Sequence, residues 1–216
     1  MTYKIAMVAQ KGGVGKSTLA RIIAVEASKS GLNTKIADLN TKQKTCVNWS
    51  ARRSSNGLRP VIRAEIFEEI ETALQDASNF DLYIFDTMGE ADSDTLEIAR
   101  ASDLMVIPTS ESLDDLEPAV ILANNFYKEG VPIAKIRFAL CRTNESVVQV
   151  EGARDYLSKT PFSVLAGDIP QQTAFKNAMD AGKSVTETSF PTLRRRADAM
   201  AQNIIDALDD TAREVA

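Results

Sequence analysis

Lys11-Gly12-Gly13-Val14-Gly15-Lys16-Ser17-Thr18 puts two lysines, three glycines and two hydroxyls into eight residues. That mixture suits a polyphosphate ligand. Glycines let successive backbone N–H groups turn inward on phosphate oxygens, forming a concave nest that a Cβ would obstruct. A helix starting at the end of the run adds its partial positive charge. Lys16 then reaches the outer phosphates as a point charge, and the Ser17 hydroxyl is placed to hold a Mg²⁺ bridging them. Thr18 caps or supports the first helical turn. The common spacing G-x-x-x-x-G-K-[ST] would need glycine at position 10, where this chain has Gln10, and Lys11 is additional. Because Lys16 already serves the phosphates of its own subunit, Lys11 is either a solvated loop residue or has its task elsewhere.

Such a loop must follow a strand and open a helix. The apolar run from Tyr3 to Ala9 has strand length, and Leu19 to Ala27 carries helical periodicity ending at Ser30-Gly31. Further strands are expected at Thr34 to Ala37, Val61-Ile62, Phe80 to Asp86, Leu104 to Pro108, Ile136 to Cys141 and Ser163 to Ala166. Helices are expected over Ala64 to Ala77, where Ile66, Phe67, Ile70, Ala73 and Leu74 form one face, over Asp114 to Glu129, and from Ala197 to Leu208. This alternation implies an α/β fold: a doubly wound, mostly parallel sheet with helices on both faces, its ligands at the carboxyl ends of the strands. Asp86 ends the most apolar strand on that edge, as an aspartate must to hold Mg²⁺ through its water shell. A turn-capping aspartate is the plainer alternative.

The 216 residues are 44% hydrophobic and no Pro/Gly/Ser-rich linker divides them, so one domain over residues 1–216 is expected. Two cysteines, Cys46 and Cys141, and no histidine exclude a histidine general base, most nucleophilic triads and most zinc sites. With no secretory pattern, the composition implies a reducing, cytoplasmic setting. No run approaches membrane-spanning length. A net charge of −5 excludes a globally basic nucleic-acid binder, leaving Arg194-Arg195-Arg196 as a local cluster, with Lys176, Lys183 and Arg52-Arg53 as further basic positions. Arginines without a base-reading motif contact phosphates regardless of sequence; an arginine run is otherwise a solvated helix face.

Lys-Gly-Gly-x-Gly-Lys-[Ser/Thr] near the N-terminus resembles the deviant Walker A box of the ParA/MinD family of ATPases, and most closely the short, ParF-like type of plasmid partition. That resemblance implies a P-loop ATPase using ATP/ADP and Mg²⁺, with Lys11 reaching across a homodimer to the partner's ATP. Residues 12–18 would cradle phosphate, Ser17 and Asp86 would hold the metal, and Gly89 of Asp86-Thr87-Met88-Gly89 would sense the γ-phosphate, making residues 87–95 a switch loop. Glu90, Asp92 and Asp94 would be solvated or partner-facing acids. Arg194, Arg195 and Arg196 would bind nucleoid DNA non-specifically in the ATP state, and a ParB-like or adaptor protein would stimulate slow hydrolysis. No membrane contact is expected: residues 204–216 carry acids where MinD-like relatives carry a basic amphipathic helix. Two lone cysteines do not supply the cluster ligands of nitrogenase-type iron proteins. A MinD-like positioning ATPase or a metabolic enzyme of the dethiobiotin-synthetase type is the alternative.

The sequence departs from that family in two places. After the second strand the family has Asp-x-Asp-Pro-Gln, whereas this chain has Asp38-Leu39-Asn40-Thr41-Lys42-Gln43. Counted from Asp38, Asn40 replaces an acid; counted back from Trp49, Gln43 takes the glutamine's place and one residue is inserted. Asp38 is expected to keep the water and Mg²⁺ roles, capping a following turn being its alternative. Cys141 stands where the family places an asparagine near the base, so adenine contacts are expected from Arg142, Pro170 and Gln171.

Overall fold

Tyr3–Met7 (β1), Thr34–Asp38 (β2), Arg63–Ile66 (β3), Leu82–Asp86 (β4), Leu104–Thr109 (β5), Ile136–Thr143 (β6) and Ser163–Pro170 (β7) pair into one sheet ordered β3-β2-β4-β1-β5-β6-β7. Every pairing is parallel. The computed structural model describes residues 2–89 and 93–215; Glu90 and Asp92 of the expected switch loop lie outside them. Lys16–Lys29 (α1), Thr45–Ser55 (α2), Ile70–Ala77 (α3), Ser93–Ala101 (α4), Leu113–Lys128 (α5), Val147–Ser158 (α6), Thr173–Asp180 (α7) and Pro191–Val215 (α8) supply the crossovers and flanking helices.

Strand alternation divides the core. Ile5 and Met7 face one layer, with Trp49 of α2, Phe175 of α7, and the apolar faces of α1 and α8. Ala6 and Val8 face the other, with α3, α4, α5 and α6. Because both faces are covered, the central strands are continuously apolar rather than alternating, as in the fully buried Leu82–Asp86. β1 lies between β4 and β5, where successive connections leave in opposite directions, and the crevice outside the carboxyl ends opens there.

One expected element is corrected. Residues 63–66 form an edge strand on β2, with Lys35 opposite Arg63 and Asp38 opposite Ile66, and the helix begins only at Ile70. Val61 and Ile62 precede that strand, Val61 exposed and Ile62 buried. Ile66 and Phe67 do fit the helical spacing of Ile70, Ala73 and Leu74, but pairing with β2 overrides it; such a partner is remote in sequence.

Candidate functional site

The loop after β1 ends on α1, whose N-cap is Gly15 at φ 122° with no side-chain cap. The first-turn N–H groups of this 14-residue helix therefore have no capping side chain, which makes them donors for an anion. Thr18 does not cap them; its hydroxyl donates to Met179 Sδ at 3.6 Å. An alanine Cβ at Gly15 would lie 2.8 Å from Cys141 Cβ. Gly15→Ala is accordingly expected to lower stability by about 1–3 kcal/mol, read from the urea midpoint. Cys141→Ala keeps the offending Cβ and is expected to give no rescue.

Lys16 is buried, and among the described residues its ammonium hydrogen-bonds only the Lys11 carbonyl, at 3.3 Å. Burial lowers its pKa, with Asp86 partly opposing. A buried cation with no carboxylate in hydrogen-bond contact among the described residues is matched to an incoming anion. Gln10, Gly12, Gly13, Gly15 to Thr18, Asp86 to Gly89, Arg142 and, from loop 39–44, Asn40, Lys42 and Gln43 surround a cavity of about 560 Å³. Gly89 packs on the same loop: a Cβ there would come within 2.8 Å of the Gly12 nitrogen.

Asp38 and Asp86 sit opposite one another at the ends of β2 and β4. Asp86 is 2% exposed; its Oδ2 accepts the Cys46 thiol at 3.1 Å, and among the described residues Oδ1 has no hydrogen-bond partner. Burial pushes its carboxyl up against the opposing effects of Ser17 and Cys46; Asp38 adds to the rise and Arg21 opposes it. A divalent cation, held with the help of Ser17, would reverse this and satisfy the orphaned oxygen.

Asp38, from which water and Mg²⁺ roles are expected, is engaged by backbone donors. It is fully buried, Oδ1 accepts Asn40 N at 3.2 Å, and Oδ2 accepts Cys46 N at 2.8 Å and Val47 N at 3.2 Å. Its carboxylate thus serves the first turn of α2 and does not line the cavity. Asn40, Lys42 and Gln43 do line it, and the Asn40 side chain closes the loop on itself through Gln43 N at 3.0 Å.

Lys11 also lies outside the cavity lining. Its ammonium donates to Asp115 Oδ1 at 3.1 Å and to the Asp114 carbonyl. That carbonyl lacks its helical donor because the residue four positions on is Pro118, which has no N–H.

Arg142, Pro170 and Gln171 border a second cavity of about 440 Å³ that shares Gly13, Gly15, Thr18 and Met179 with the first. Arg142 adopts φ 57° and donates to the Gly13 carbonyl at 2.5 Å. Lys176 and Phe175 also line this side. Sequence reasoning missed Arg21, which is buried, lines the first cavity, donates to the Thr45 carbonyl at 2.7 Å and lies 5.4 Å over the Trp49 ring. Its position one turn after Ser17 on α1 was the available signal.

The expected DNA cluster is largely committed within the chain. Arg194 binds the Thr188 carbonyl through Nε and Nη2, and Arg196 binds Asp168 at 2.6 Å. Arg195 is exposed and makes no hydrogen bond or ion pair among the described residues. Of the other basic pair, Arg52 is exposed and Arg53 is fully buried.

Residues 3–66, under a third of the chain, match the family model described as ATPase MipZ. No curated protein matches the chain. Its structure is similar to the septum site-determining protein MinD complexed with Mg-ADP from Pyrococcus horikoshii OT3, at TM-score 0.74 and 15% identity over 98% of this chain and 99% of that one. A ParA family ATPase from Chlorobium tepidum TLS gives 0.74 and 16%, over 95% and 99%. McdA in complex with ATP from Cyanothece gives 0.72 and 13%, over 94% and 96%. At these identities the likeness establishes the fold: an α/β P-loop fold of the kind found in MinD and ParA ATPases.

Proposed function

We propose that the chain is an ATPase that dimerises with ATP and Mg²⁺, positions a cargo, and is returned to monomers by hydrolysis. The observation that carries this reading is the convergence on one cavity of the residue 10–18 loop, the Asp86 end of β4 and the two flanking loops. The residues fit the ligand: small glycines at the cradle, a buried Lys16 short of an anion, and a buried Asp86 oxygen short of a cation. Mg-ADP and ATP in the similar structures support the same choice. Lys16 and the start of α1 would neutralise phosphate, Ser17 and Asp86 would hold the metal, and Arg142, Pro170 and Gln171 would face the adenine end.

Asp38 then acts through α2, as a positioning group for loop 39–44. Among the described residues, that loop offers the cavity amides and a lysine but no carboxylate. An amide orients water without accepting its proton, so hydrolysis is slow and depends on a stimulating partner. Lys11 stands outside its own cavity with a side chain 44% exposed, which supports a role toward a second subunit. Non-specific DNA is the surface this dimer would ride on, with Arg195 the freest contact. Ala197, Met200, Ala201, Ile204, Ala207 and Leu208 of α8 are buried in the core rather than presented to a bilayer, and no described helix is long and apolar enough to cross a membrane.

Sedimentation with Mg²⁺ and a slowly hydrolysed ATP analogue, against ADP, tests the switch. Wild type is expected to double in mass only with the analogue, and Lys11→Ala to bind the analogue equally well yet stay monomeric. A Lys11→Ala protein that dimerises normally removes the cross-subunit role. Anisotropy of a random-sequence duplex across a salt series tests the DNA surface: salt-sensitive binding confined to the ATP state supports it, and equal or absent binding in both states removes it.

A further inference from the structure

The first turn of α2 is tied to both aspartates through one residue. Cys46 gives its backbone N–H to Asp38 at 2.8 Å and its thiol hydrogen to Asp86 Oδ2 at 3.1 Å, and its side chain is fully buried. At 3.1 Å from a carboxylate oxygen, which only accepts, the sulfur stands as the donor of that contact. It occupies one oxygen of Asp86 and leaves Oδ1 as the oxygen without a hydrogen-bond partner among the described residues. Arg21 secures the same turn from α1 through the Thr45 carbonyl.

We propose that Cys46 is a positioning residue for the metal-facing carboxylate: its thiol fixes the orientation of Asp86 and couples the start of α2, and so loop 39–44, to the cation. This rests on the nucleotide and Mg²⁺ reading above. The hydrogen bond costs Asp86 one acceptor but holds its plane, the role outer partners play for metal-bound carboxylates, where their removal lowers metal affinity about 10–100-fold.

The test titrates Mg²⁺ into protein with a fluorescent N-methylanthraniloyl-ADP, and repeats the nucleotide titration in EDTA. Cys46→Ala is expected to raise the Mg²⁺ concentration at half-effect by about tenfold or more while leaving affinity in EDTA unchanged. Cys46→Ser keeps a donor and is expected to stay within about threefold of wild type, on the scale where one hydrogen bond is a factor of roughly ten. Equal Mg²⁺ dependence in wild type and Cys46→Ala overturns the proposal. So does equal loss in the serine and alanine variants, which makes the residue a packing element only. Should Cys46→Ala fail to fold, the comparison of Cys46→Ser with Cys46→Val decides in the same way, valine lacking the donor at similar bulk. Wild type that binds the nucleotide in neither condition fails the functional reading itself, and this inference with it.

Discussion

Lys16→Ala is expected to leave a folded protein that no longer binds ATP or ADP at concentrations where wild type saturates. The ammonium is buried, and among the described residues its removal loses only a long hydrogen bond to the Lys11 carbonyl and strands no carboxylate in a hydrogen-bonded pair. Its burial costs the apo protein free energy that an anion recovers, so truncation is close to neutral for folding and severe for binding. Hydrogen bonds to charged groups contribute about 1.5–3 kcal/mol each; losing one or two of them weakens the nucleotide by roughly one to four powers of ten. Equilibrium binding of the fluorescent ADP and a urea melt of the same sample check both halves. A variant that binds within threefold of wild type would show that the cradle's N–H groups carry the phosphate without it.

Arg53→Ala has the largest expected effect on folding. The guanidinium is fully buried and fork-bonded to Glu187 at 2.6 and 2.9 Å, with further bonds to the carbonyls of Arg59, Pro60 and Gly182. Removing one partner of such a pair costs about 3–5 kcal/mol, against a total of about 5–15 for an ordinary domain. Burial raises the Glu187 carboxyl, but Arg53 and the Ser184 N–H outweigh it and hold the group below the usual carboxylate range. A depressed folded-state value contributes stability that is fully present above the unfolded value and lost as pH falls through the folded one. Urea midpoints of wild type and Arg53→Ala are therefore expected to differ most near neutrality and to converge in acid. A constant difference across that range would assign the effect to packing and the carbonyl bonds alone.

These two residues also mark what a sequence discloses. Lys16 is legible because its partners, Gly12 to Ser17, are its chain neighbours, and a motif is a local geometry written at fixed spacing. Arg53 reads as one half of a basic dipeptide, since its partner Glu187 is 134 positions away. The same contrast separates Asp86 from Asp38. The end of an apolar strand places Asp86 on the ligand edge, whereas the three backbone donors that engage Asp38 come from its own loop and the first turn of α2, which the spacing left unresolved. The residue 63–66 strand differs from its helical spacing for a related reason: that spacing is local, and pairing with β2 is not.

Pro118 gives the monomer a competitor for its own signature lysine. By withholding an N–H it leaves the Asp114 carbonyl open, and that carbonyl together with Asp115 engages Lys11 within one chain. Where the lysine is to serve a neighbouring subunit, only the fraction of molecules in which it has left α5 is competent, and the apparent dimer dissociation constant rises by the reciprocal of that fraction. In the proposed dimer, the strength of this intramolecular tether would be one of the quantities that set the protein concentration at which subunits pair.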